Sequence, residues 1–152
     1  MADIMHKVGI KAPASQVYAA LASTAGVAGW WTRETSGEAS LGGAVTVLFR
    51  TPAGEEIGQM SFEPIQLEPS QRVTWRFTAG PEEWLGTEAT FTLEQRGERT
   101  ILIFGHRNWR EASEFMAHCS MKWATFLLSL KQLVETGEGR PAPHDLKIDD
   151  WN

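Results

Sequence analysis

The 152-residue sequence predicts an α+β fold in which a curved antiparallel sheet wraps one long C-terminal helix. Three observations carry this. Between Glu111 and Thr136, Ala112, Phe115, Met116, Cys119, Trp123, Phe126, Leu127, Leu130, Leu133 and Val134 fall in one stripe roughly 120° wide on a helix. Upstream, alternating apolar and polar runs are separated by short turns, the pattern of antiparallel strands with one buried face. Only the final helix, about seven turns and roughly 39 Å long at the standard rise, is long enough to fill the concave side of such a meander.

In chain order, Asp3 to Lys11 alternate, with Ile4, His6, Val8 and Ile10 on one face, and predict a strand. Pro13 suits the first turn of a helix over Pro13 to Ala22. Ser23 or Thr24 caps a second short helix ending near the Trp30-Trp31 pair. The small and polar residues Thr35 to Gly43 read as a loop. Val45, Val47 and Phe49 share a strand face before the turn Thr51-Pro52-Ala53-Gly54. Glu56 to Leu67 form the next strand, with a bulge or strand end at Pro64. Val73, Trp75 and Phe77 alternate with Arg72, Thr74 and Arg76 in the clearest strand of all. After the break at Ala79 to Glu83, the alternation resumes from Leu85 through Ala89, Phe91 and Leu93. A turn at Gln95 to Arg99 leads into Thr100 to His106, apolar on both sides at Ile101 to Phe104 and therefore central. The order is strand, two short helices, five or six strands, long helix. Residues 1–139 make one domain, and 140–152, with Pro141, Pro143 and Asp149-Asp150 beside Trp151, form an extended surface tail.

Fourteen Lys and Arg against nineteen Asp and Glu make a mildly acidic chain without a basic block, which disfavours nucleic acid and anionic membranes as partners. Cys119 is the only cysteine, and no N-terminal signal pattern is present, so the expected location is the cytoplasm. No apolar run reaches the ~18 residues that cross a bilayer.

Chemistry-bearing motifs are sparse. His6, His106, His118 and His144 show no short metal-ligand spacing, and there is no nucleophile elbow, phosphate loop or dinucleotide fingerprint, so neither metal nor cofactor is expected. His106 shares strand parity with Leu102 and Phe104 and is the weak candidate for orienting a ligand or moving a proton. A bonded strand-end histidine is the plainer alternative. Cys119 lies in the middle of the apolar stripe, the usual place of an inert thiol, and His118 is about 100° around the helix from it. The better signal is aromatic. Seven Trp and seven Phe stand beside one Tyr, a supply suited to a core or to the wall of a small-molecule pocket.

Several strings, in order, resemble the START-like or birch-pollen-allergen-like (SRPBCC) superfamily. These are Ile10-Lys11-Ala12-Pro13-Ala14 with Val17-Tyr18, Trp30-Trp31, Leu41-Gly42-Gly43, and Gly58 through Pro64 to Val73-Thr74-Trp75. Cys119 through Trp123, Phe126 through Lys131 and Glu135-Thr136-Gly137 complete the set. Within the superfamily they are most similar to the C-terminal domain of the activator of heat-shock protein 90 ATPase. The resemblance implies a helix-grip fold and a cavity between sheet and helix that takes small apolar molecules. It brings Trp30, Trp31, Phe49, Met60, Trp75, Phe91, His106, Met116, Cys119 and Trp123 together as the expected ligand-binding set, reached between the short helices and the Thr35 to Gly43 loop. Two other functions stay open: an interaction module for a chaperone or another protein, using Met121, Leu128 or Trp151, and a cyclase- or hydrolase-type enzyme using His106. Oligomeric state is not legible.

Overall fold

The computed structural model describes residues 1–152. The chain runs β1 (Ala2–Ile10), α1 (Ala14–Leu21), α2 (Thr24–Trp30), β2 (Glu34–Gly37), β3 (Val45–Arg50) and β4 (Glu56–Glu68). It continues through β5 (Arg72–Ala79), a single 3-10 turn at Glu82–Trp84, β6 (Glu88–Arg96), β7 (Arg99–Trp109) and α3 (Glu114–Thr136). All seven strands join one open antiparallel sheet in the order β1-β7-β6-β5-β4-β3-β2, a meander from β2 to β7 that the first strand extends at one edge by pairing with the last. This is the α+β helix-grip fold, with α3 on the concave face.

Inward positions of successive strands supply the core: Val45 and Val47, Phe62, Val73 with Trp75 and Phe77, Ala89 with Phe91, and Leu102 with Phe104 are all at most 1% exposed. From α3, Trp123, Phe126, Leu127 and Leu130 meet them. Ser113 accepts the Met116 backbone N–H at 3.2 Å and starts the helix, and Gly137 ends it with φ at 91°, a conformation that glycine adopts without penalty. The cap places the start three residues after Glu111, and Ala112 stands exposed outside the helix. No helix is long and apolar enough to cross a membrane.

Pro64 is absorbed by a bulge. The β4–β5 register shifts between Pro64 and Gln66, and the strand continues beyond it. Two expectations are corrected. The first part of the Thr35 to Gly43 loop is instead β2, an edge strand paired with β3 from Glu34–Leu48 to Gly37–Val45. At Gly37, with φ at 104°, an added Cβ would sit 2.1 Å from the Ala44 carbonyl, so a hydrophobic pattern is not what makes this strand. Leu85 points outward, 50% exposed, because the chain forms the Glu82–Trp84 turn and β6 begins only at Glu88.

The segment after α3 has no helix or strand, and it runs back over the helix. Ala142, 1% exposed, exchanges backbone hydrogen bonds with Trp31 and Arg33 at 2.9 and 3.1 Å. Farther on, Asp145 and Asp149 reach Lys122 and His118 of α3.

Candidate functional site

A cleft of about 370 Å³ opens between β4 and the first half of α3. Its walls are aromatic and apolar. Trp31 comes from the end of α2, Phe49 from β3, Met60 from β4, Trp84 from the 3-10 turn, and Cys119, Trp123 and Phe126 from α3. Ile57 and Pro81 complete the sheet side, while Phe115 and Trp151 lie at the rim. The volume falls at the lower end of the range for small-molecule pockets.

Five of the ten expected residues, Trp31, Phe49, Met60, Cys119 and Trp123, line this cleft, whereas Trp30, Trp75, Phe91, His106 and Met116 do not. The reason is packing. Trp30, Trp31 and Trp75 stack within 13° of coplanar, with centroids 5.7 to 6.3 Å apart, and Phe62 lies 4.0 Å from Trp75. Phe91 closes edge-on against Trp75 at 4.7 Å. These rings are buried and pack on one another in the middle of the fold, and the cleft lies beyond them. The way in also differs from expectation: no residue of Thr35 to Gly43 lines it.

His106 faces inward as its parity predicts, but into the packing and not into the cleft. It is 0% exposed and both ring nitrogens are engaged. The Trp123 indole N–H donates to Nδ1 at 3.1 Å, so Nδ1 carries no proton. Thr87 spends its single hydroxyl hydrogen on the Trp84 carbonyl at 2.6 Å, so the 2.8 Å contact with Nε2 must be donated by the imidazole. The ring is therefore a neutral Nε2–H tautomer, and burial pushes its pKa from 6.5 down to about 3. It ties β7 to α3 and the 3-10 turn instead of offering a proton.

Cys119 is equally quiet. Burial pushes its thiol up to about 12; the Trp84 indole opposes this shift and the Glu83 carboxylate adds to it. The indole N–H has no oxygen or nitrogen acceptor. His118 lines the cleft and pairs through Nδ1 with Asp149, yet it makes no hydrogen bond to Cys119 or His106. No nucleophile, base and orienting group are assembled, and no cluster of His, Cys, Asp or Glu is arranged to hold a metal ion.

Trp84 is the wall residue that pattern reading misses. Its place in a polar break after Pro81-Glu82-Glu83 hides a side chain only 4% exposed, stacked on Trp123 at 14° and 5.9 Å. A tryptophan inside an otherwise hydrophilic turn is itself the available signal. Trp151 and Asn152 are equally invisible as wall residues, because their position depends on how the last segment folds back, and Lys122 on α3 lies outside the apolar stripe.

Comparison with known proteins adds the kinship. No protein of curated function matches the sequence. The solution structure of the Aha1 dimer from Colwellia psychrerythraea is 42% identical, covers 91% of this chain and 100% of its own, and superposes with a TM-score of 0.77. Two more distant structures share the fold. CalU16 from Micromonospora echinospora is 20% identical over 93% of this chain and 77% of its own, with a TM-score of 0.70. Protein MLL2253 from Mesorhizobium loti is 18% identical over 88% and 96%, with a TM-score of 0.73. A family model described as "Activator of Hsp90 ATPase homolog 1-like protein" matches residues 11–135. With this match added to the helix-grip architecture, the chain is a START-like domain that belongs to the Activator of Hsp90 ATPase homolog 1-like family.

Proposed function

We propose that the protein binds a small apolar molecule in the cleft walled by Trp31, Phe49, Met60, Trp84, Trp123 and Phe126. Family and fold support a ligand-binding or interaction module. One observation favours the ligand: Trp30, Trp31 and Trp75 stack in the middle of the fold with Phe91 edge-on against them, and about 370 Å³ is open where the aromatic walls continue. The reading is of a binding protein, since His106 is locked neutral and the Cys119 thiol stays protonated. A lone buried cysteine is consistent with a reducing compartment, the cytoplasm.

Titration with 2-acetylnaphthalene, followed by quenching of tryptophan emission, is expected to give saturable one-to-one binding. Met60→Trp fills the cleft from β4 and is expected to weaken this at least tenfold. Absence of saturable binding across a panel of neutral aromatic and aliphatic probes would sink the proposal.

A second reading concerns assembly. The relative from Colwellia psychrerythraea is a dimer, and here Met121 and Leu128, two turns apart on the outer face of α3, are 56% and 58% exposed. Both support a homodimer formed through that face. Sedimentation velocity of the unmodified protein is expected to show a dimer that Leu128→Glu converts to monomer. A monomeric parent at tens of micromolar would remove this reading.

A further inference from the structure

The cleft carries two bases, and each is already matched by a carboxylate from the segment that follows α3. Lys122 Nζ donates to Asp145 Oδ2 at 2.5 Å and to the Leu146 carbonyl at 2.8 Å. The pair is buried, the two side chains being 10% and 6% exposed. His118 Nδ1 meets Asp149 Oδ2 at 2.5 Å. The other oxygen of Asp149 accepts the backbone N–H groups of Trp151 and Asn152 at 2.8 and 3.1 Å, which holds both residues at the cleft wall. No further acidic or basic side chain lines the space, and the Cys119 thiol stays neutral.

An ionised ligand group entering here would shed its hydration and meet no free counter-charge, an unfavourable exchange in an apolar surrounding. A neutral group of the same shape meets no such cost. We infer that the strap Arg140–Asn152 sets the charge of the ligand: the cleft takes an uncharged molecule and rejects its anionic counterpart, because Asp145 and Asp149 occupy the only two bases. The inference rests on the cleft being the binding site proposed above, and it makes the two strap carboxylates the specificity determinants of that site.

The test uses two probes with the same ring system, neutral 2-acetylnaphthalene and anionic 2-naphthoate, on the full chain near neutral pH. The unmodified protein is expected to bind the ketone at least tenfold more tightly. Asp145→Asn keeps the shape and leaves the Lys122 ammonium without its counter-charge, so the naphthoate-to-ketone affinity ratio rises about tenfold. Asp149→Asn, whose amide oxygen still accepts from Trp151 and Asn152, moves the ratio in the same direction by a smaller factor and decides the matter if the first variant does not fold. Naphthoate binding as tightly as the ketone in the unmodified protein overturns the inference while leaving the cleft a binding site. An unchanged ratio in folded variants overturns it as well, and failure of both probes removes inference and binding site together.

Discussion

Acidification from pH 6.5 to pH 3 is expected to destabilise the folded protein by roughly 4–5 kcal/mol through His106 alone, at about 1.4 kcal/mol per pH unit. Above pH 6.5 the imidazole is neutral in both the folded and the unfolded chain, and its contribution is complete. As the pH falls, the unfolded chain takes up a proton that the folded chain refuses until about pH 3, because the charged ring would lie desolvated among Trp84, Trp109 and Trp123. Stability is therefore present above the unfolded value and is lost as the pH falls toward the folded one. Urea midpoints measured between pH 6.5 and 5 isolate the effect. The carboxylates whose pKa is lowered, Glu94, Glu135 and Asp149, begin from 4.5 or below and act at lower pH. His106→Gln, which cannot ionise, is expected to be less stable at pH 7 and to show the shallower slope. Equal slopes in parent and variant would mean that the folded ring takes up its proton over the same pH range as the unfolded chain.

Trp31→Ala is expected to cost about 3–5 kcal/mol and to lower the thermal midpoint by roughly 10 °C in a domain of this size. The indole is 2% exposed and sits at a junction, 5.0 Å from Trp123, 5.6 Å from Phe49, 5.7 Å from Trp75 and 5.8 Å from Trp30. Its removal joins the cleft to the packed interior, so the void cannot close by local collapse. Trp31→Phe restores part of the loss, and Trp151→Ala, at a side chain 47% exposed, is expected to shift stability little. Scanning calorimetry of the three variants checks the ranking. A small effect at Trp31 would show that neighbouring rings relax into its place.

Periodicity made most of the architecture legible. The stripe from Phe115 to Leu130 and the alternation at Val73, Trp75 and Phe77 are strong because burial of one face dictates them. Where backbone geometry or a long-range contact decides, the pattern is silent. The edge strand at Glu34–Gly37 carries no apolar alternation and exists because β3 offers hydrogen bonds. Leu85 fits the alternation and still faces solvent, since the turn that seats Trp84 resets the phase. For the site, sequence parity gave His106 an inward direction but not its two partners, Thr87 and Trp123. Inward-facing residues of one sheet belong equally to a core or a pocket; only their three-dimensional arrangement separates Met60 and Trp123, which edge the cleft, from Trp75 and Phe91, which do not. The strap contributed least to the reading, as its acidic residues acquire meaning only when set against Lys122 and His118.

The pairing of β1 with β7 at one edge of the sheet has a consequence for biogenesis. Ile4 is in register with His106, so the first of the seven strands to be synthesised has its hydrogen-bonding partner in the last of them. Until β7 emerges, the nascent Ala2–Ile10 segment offers unsatisfied amides and an apolar face to whatever is nearby. β1 is thus open to mispairing for as long as the intervening strands are being made, and this long-range pairing is expected to slow folding.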